Sequence, residues 1–236
     1  HSDTDAEGQD VATAIPQRRQ RDGRRWSDFA VLYRTTAQIR AVENALIEAR
    51  IPYRVYAGRS FYERSEVLDI IAYLKLAAGL DLHGEHTRRI ANKPLRYLGR
   101  ATLDVVAEEA RQQTLHFFEA LRRHDPVRPS QRKAIGKFCD VVFELNQMVA
   151  AGADPEAVIG HLLKATRYIE WLNKDEGAEV DKASPNANRA GSVLDFKRAA
   201  RHFTTVTALL EYADRMKAAL AGGRSRSVDK PDAVCL

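Results

Sequence analysis

The apolar residues of this chain change their spacing twice, and that limits what it can fold into. Phe29-Ala30-Val31-Leu32-Tyr33 is a short unbroken apolar run, and Ile51-Pro52-Tyr53-Arg54-Val55-Tyr56 is a second strand-like segment. Runs of this length predict buried strands of the parallel type. Between them, Ile39, Val42 and Leu46 lie on one face of a helix over 37–50, so 29–56 reads as strand–helix–strand. From residue 65 onward the spacing is helical. Val67, Ile70, Ile71, Leu74 and Ala78 form a stripe over 65–78, and stripes recur through Ile135, Phe138, Val142, Leu145 and Val149 to Leu209, Leu210, Ala213, Met216 and Leu220. At 233–236 the spacing is again that of a strand. The expectation is a mainly α fold: a helical insertion attached to a small, partial α/β unit.

Helix starts follow from the same reading. Thr102, Thr114 and Ser130 are placed to cap three helices, and Asp154-Pro155 pairs a cap with proline at the first helical position. The helix starting there is expected to run to about 172, followed by a polar loop over 173–188. A further helix covers 9–20, and residues 1–8 are expected to fray. Arg18, Arg19, Arg21, Arg24 and Arg25 form a basic run around Gly23, best read as a solvated helix end.

Several chemistries are excluded by what the motifs lack. No G-x-x-x-x-G-K-[ST] loop offers a nucleoside-triphosphate cradle, and no His or Cys pair has metal-ligand spacing. The seven histidines are scattered, and Cys139 and Cys235 read as unpaired thiols. No apolar run reaches the ~18 residues of a membrane span. Lys+Arg 37 against Asp+Glu 32 gives a formal net charge of +5, which permits an anionic partner without requiring one. The chain begins at His1 and stops within a strand-like run, so it reads as a fragment of something longer.

The most informative stretch is 92–102, Asn-Lys-Pro-Leu-Arg-Tyr-Leu-Gly-Arg-Ala-Thr. Pro94 and Gly99 interrupt regular structure, and Lys93, Arg96 and Arg100 surround the glycine. One reading is a basic connector between two helices, the commoner role of such turns. The other is a phosphate-holding turn, combining positive charge with the open N–H groups of a helix start. Arg34, Gln38, Arg64, Arg96, Arg100 and Thr102 all fall in turns or at helix starts and are candidate backbone-phosphate ligands. Tyr62 and Tyr97 sit beside them, as half-buried core residues or as surfaces for a base or sugar.

A family resemblance rests on four blocks. These are Phe29-Ala30-Val31-Leu32-Tyr33-Arg34-Thr35-Thr36-Ala37-Gln38-Ile39-Arg40; Ile51-Pro52-Tyr53; Gly58 with Phe61-Tyr62-Glu63-Arg64-Ser65-Glu66; and Asn92-x-Pro94-x-Arg96-x-x-Gly99-x-x-Thr102. In order and spacing they resemble the UvrD/PcrA/Rep family of superfamily 1 DNA helicases over roughly 5–112, with weaker likeness beyond. The resemblance implies that 1–57 belongs to the RecA-like domain 2A, 58–229 to the helical domain 2B, and 230–236 to a strand returning to 2A. It implies a 3′→5′ DNA helicase as parent, with ATP and Mg as its cofactors. The Walker loop lies outside this sequence, so the fragment itself is expected to hold no cofactor and no catalytic residue.

Site residues carry over by position. Arg34 resembles the arginine that contacts the translocating single strand. Thr36 stands where the family usually has Asn, keeping a hydroxyl and losing the amide. Arg59 sits one place before the basic position that usually precedes Phe-Tyr. The 92–102 stretch resembles the Gly-Ile-Gly turn that holds duplex backbone, with Tyr97 in place of the first glycine and Gly99 kept. The implied DNA-binding set is Arg34, Thr36, Gln38, Arg59, Arg64, Arg96, Gly99, Arg100 and Thr102. The implied partners are DNA at a single-strand/duplex junction, bound without sequence preference, the rest of the helicase chain, and repair or transcription proteins; no membrane is involved. The implied setting is the bacterial cytoplasm, at the nucleoid. A module that docks a repair or transcription protein is the alternative from another class.

Overall fold

A computed structural model describes residues 3–34, 36–55, 61–126, 128–176, 189–223 and 232–236. The fold is mainly α, with a small parallel sheet. Two compact units divide the chain. One comprises His1–Arg64 with Glu211–Leu236, and the other Ser65–Leu210.

In the first unit, α1 (Asp3–Asp22) packs against α2 (Thr36–Glu48). Gly8 makes this approach possible, because a Cβ there would lie 2.6 Å from the Ala41 carbonyl oxygen. The buried residues Ala12, Ile15, Ile39, Val42 and Leu46 line these helices. Strand β1 (Tyr53–Arg54) pairs in parallel with β2 (Val234–Cys235), in register Tyr53↔Val234 and Arg54↔Cys235. The run 29–33, expected as a strand, makes a single bridge, Ala30↔Cys235. Its Val31 N–H donates to the Cys235 carbonyl at 2.8 Å, and Phe29 accepts from the Cys235 N–H at 3.0 Å. A ladder needs a partner as long as itself, and β2 pairs over two residues only.

The second unit is built on α3 (Ser65–Ala77), which is buried over most of its length. It packs against α4 (Glu85–Ile90), α7 (Pro129–Ala150) and α10 (Arg189–Ala200). Helices α5 (Arg100–Gln112) and α6 (Phe117–Arg123) pair, as do α8 (Pro155–Thr166) and α9 (Tyr168–Glu176). Tyr73 and Phe118 each meet Phe138 edge-on at about 6 Å between ring centres, joining α3 and α6 to α7. The last helix, α11 (Val206–Gly223), spans the division between the units. Among the described residues no helix is long and apolar enough to cross a membrane.

Five local expectations are corrected. Helix α1 starts at Asp3, so the polar 3–8 segment is helical. Thr102 and Ser130 lie inside helices whose N-caps are Gly99 and Arg128, and Thr114 sits at φ +53° before a helix capped by His116. In the Ser130 case Pro129 takes the first helical position and moves the cap back. The helix after Pro155 breaks at Arg167, whose φ of +53° ends α8, and α9 then continues to Glu176. The rest of the expected 173–188 loop lies outside the described residues.

Asp154 does cap α8, accepting from the Glu156 N–H at 2.8 Å and the Ala157 N–H at 3.2 Å. Asp154→Ala should lower stability by about 1 kcal/mol. Urea unfolding should show this as a lower midpoint at unchanged slope.

Candidate nucleic-acid interface

The turn between α4 and α5 is held by a buried carboxylate. Asp69, on α3, is 0% exposed. Its oxygens receive the Lys93 ammonium at 2.9 and 3.0 Å and pair with Arg89 Nε at 2.6 Å. The Tyr168 hydroxyl donates to Asp69 Oδ2 at 2.9 Å. Burial, with the Asp69 charge beside it, pushes the Tyr168 hydroxyl above the ordinary phenol range, so it remains a donor. A buried charge requires such a shell, since an unpaired carboxylate in the interior is strongly unfavourable.

A second set of bonds shapes the turn itself. Arg96 folds inward. Its Nη1 lies 2.8–3.3 Å from the carbonyl oxygens of Ile90, Ala91, Lys93 and Pro94, so two protons are shared among four acceptors. Its Nη2 donates to the Tyr73 hydroxyl at 2.7 Å, and the guanidinium carbon lies 5.0 Å from the centre of the Phe138 ring. The Tyr73 hydroxyl in turn donates to the Lys93 carbonyl at 2.6 Å. The Asn92 side-chain oxygen accepts from the Arg96 and Leu98 N–H groups at 2.8 and 3.1 Å, and Leu98 is buried. The Lys93–Pro94 peptide is cis.

What this frame presents to solvent is narrower than the sequence suggests. Of the three cations around Gly99, Lys93 and Arg96 are engaged inside, and Arg100 projects with 95% of its side chain exposed. Among the described residues its one ion pair, with Asp104, is long at 3.8 Å. Gly99 is the N-cap of α5 and supplies no side-chain acceptor. Arg100, Ala101 and Thr102 therefore occupy the first helical positions, where backbone N–H groups have no partner within the helix. Tyr97 holds φ +59° although it is not glycine, and 75% of it is exposed. A left-handed backbone with a Cβ costs roughly 1–2 kcal/mol. The substituted turn thus keeps a conformation suited to glycine. Gln131 steadies it by donating to the Tyr97 carbonyl at 3.0 Å. Beside the turn, a groove of about 640 Å³ is lined by Pro94, Leu95, Arg96, Lys137, Glu144 and Arg167, and its mixed charge sets no preference for anions.

The remaining expected site residues divide clearly. In the first unit, the Arg34 backbone N–H donates to Gln38 Oε1 at 3.2 Å, and Arg34 is exposed. Thr36 is the first residue of α2. Arg64 pairs with the buried Glu43 at 2.9 Å and lies 5.4 Å from the centre of the Phe61 ring. Glu43 also accepts from the Phe61 N–H at 3.1 Å, so Arg64 helps fix the chain entering α3. Arg59 lies outside the described residues. Arg34, Thr36, Gln38 and Arg64 belong to one compact unit, and Arg96, Gly99, Arg100 and Thr102 to the other. Sequence reasoning missed Asp69, Tyr73, Asn92 and Tyr168 as positioning residues. The available signal was an aspartate next to the apolar stripe of α3.

A mainly helical chain with a short parallel sheet and a rigid turn bearing an exposed arginine fits the class of PcrA/UvrD-like DNA helicases, and sequence comparison agrees. The chain belongs to the UvrD-like helicase C-terminal domain family, whose model matches residues 1–147. It is 33% identical over 210 residues to ATP-dependent DNA helicase PcrA of Bacillus subtilis (strain 168), covering 88% of this chain and 28% of that protein. It is 31% identical over 186 residues to DNA helicase II of Escherichia coli (strain K12), covering 78% and 25%. A third relative, PcrA of Leuconostoc citreum, is 37% identical over 128 residues, covering 54% and 17%. The chain thus spans about a quarter of the length of the first two.

Removing the Asp69 carboxylate strands two cations that are each about one-third exposed, so hydration offsets part of the loss. Asp69→Ala should destabilise the protein by roughly 3 kcal/mol. Chemical denaturation should detect this, and a change below about 0.5 kcal/mol would contradict the role given to the carboxylate.

Proposed function

We propose that this chain is the 2B region, with flanking parts of 2A, of an ATP-dependent 3′→5′ DNA helicase. It contributes DNA-backbone binding and regulation of unwinding, while ATP and Mg are bound elsewhere in the parent. The 2B part is assigned to 58–229, and 1–57 with 230–236 to 2A. Family membership and the names of the relatives support the parent activity.

The observation that carries the DNA-binding part is Arg100, exposed at a helix start with no side-chain cap and mounted on a turn cross-braced from α3. In this reading, Arg100 and the first N–H groups of α5 hold a phosphodiester oxygen, and Gly99 leaves the backbone open to it. Thr102 adds a hydroxyl within the first turn. Arg96 and Lys93 act as positioning residues that fix the turn. Arg34, Thr36 and Gln38 form a second contact set, for the single strand, and Arg59 and Arg64 are assigned to the DNA-binding set with them. Such contacts read no base edges, so binding is independent of sequence and falls with salt. The remaining partners are the rest of the helicase chain and repair or transcription proteins, in the bacterial cytoplasm at the nucleoid.

The test is fluorescence anisotropy with a duplex carrying a 3′ single-stranded tail, across a salt series. Arg100→Ala should weaken binding several-fold at low salt and reduce the log–log salt slope by about 0.9, the value of one phosphate contact. Equal binding by Arg100→Ala would overturn the contact. Absence of binding by the unaltered chain at low salt would favour the protein-docking alternative. The purified chain should also hydrolyse no ATP.

A further inference from the structure

Tyr97 is where the turn departs from what its fold requires. The residue is 75% exposed while the adjacent Leu98 is buried, and among the described residues no aromatic partner stacks on it. Its backbone is left-handed at φ +59°, a conformation that a side chain opposes and glycine would accept. The strain therefore has no compensating burial. The backbone that carries the ring is nonetheless held in place, because Gln131 donates to the Tyr97 carbonyl and Asn92 accepts from the N–H groups on either side, at Arg96 and Leu98. Three residues on, Arg100 projects from the start of α5. The core does not need this side chain, and an exposed aromatic on a held, left-handed backbone beside an exposed arginine has the make-up of a ligand-facing group.

We propose that Tyr97 is a nucleobase-stacking residue that takes an unpaired base at the edge of a duplex while the α5 start holds a neighbouring phosphate. The proposal rests on the DNA-contact reading above and adds to it the form of nucleic acid preferred. Bases inside a duplex are covered on both faces by their neighbours, so an exposed ring finds an open π-face at an unpaired base or, less abundantly, on the outer face of a terminal pair. Stacking tolerates any base and carries no counterion release, so it adds affinity without adding to the salt slope. Phosphate contact and stacking are thereby separable in one assay.

The test uses the full chain and three ligands: a tailed duplex, the corresponding single strand and a blunt duplex. Tyr97→Gly should bind the tailed duplex and the single strand about tenfold more weakly at an unchanged salt slope, and should lose far less on the blunt duplex, whose open π-faces are its two end pairs alone. Tyr97→Phe should bind all three as the unaltered chain does. A 2-aminopurine at the first unpaired position should change its fluorescence on binding to the unaltered chain and to Tyr97→Phe, but not to Tyr97→Gly. Thermal unfolding keeps the result interpretable, since Tyr97→Gly relieves the left-handed strain and should melt no lower than the unaltered chain. Undiminished binding by Tyr97→Gly, or an equal loss on the blunt duplex, overturns the proposal. If Arg100→Ala still lowers the salt slope in that event, the phosphate contact stands and stacking alone is lost. If neither substitution has an effect, the DNA-contact reading falls as well.

Discussion

The second compact unit depends on the burial of one carboxylate. Asp69 lies on the helix that forms the centre of this unit, and its charge is stable there only because Lys93, Arg89 and Tyr168 converge on it. Those partners come from the turn after α4, from α4 itself and from the start of α9. The cost of burying one charge is thus turned into a constraint that ties α4 and the turn after it, and the far later start of α9, to α3. Apolar contacts alone would hold these segments together but would leave the path of the turn open to small shifts.

The turn is fixed in two layers with different chemistry. The ammonium of Lys93 is drawn to Asp69, while its carbonyl accepts from Tyr73 and from Arg96. Arg96 gathers carbonyls whose lone pairs the turn would otherwise direct inward without donors, and Asn92 supplies the acceptor for two N–H groups. With the internal polar groups satisfied in this way, the outer surface of the turn is left to Tyr97, Gly99 and Arg100. Rigidity on the inner side and exposure on the outer side have the same origin. A contact presented on such a frame loses little conformational freedom when it meets a ligand.

Most of the helical architecture was legible in the sequence, because its stripes follow the helical period and their buried faces match Val67, Ile70, Leu74, Phe138 and Leu145 in the structure. What was not legible depended on partners or on backbone handedness. The apolar run 29–33 looks like a strand locally, but strand length is set by the pairing available, here one bridge at Ala30. Thr102 has the right side chain for a cap, yet Asn92 closes the turn on Leu98 and the helix begins two residues before the threonine. The left-handed residues Tyr97, Thr114 and Arg167 carry no glycine to announce them.

The site was legible as a location and not as a set of roles. Counting Lys93, Arg96 and Arg100 as one basic cluster treats charge as if it must face water. Side chains of this length turn inward when a buried acceptor returns more than hydration does, and Asp69 and the turn carbonyls are such acceptors. The same reasoning applies to Arg64, which the buried Glu43 claims in the other unit. Arg100 differs because its nearest acid is the exposed Asp104 at 3.8 Å, too distant to hold it against solvent. A cation left weakly paired on a frame that engages its neighbours is therefore a better marker of an anion contact than the density of basic residues in the sequence.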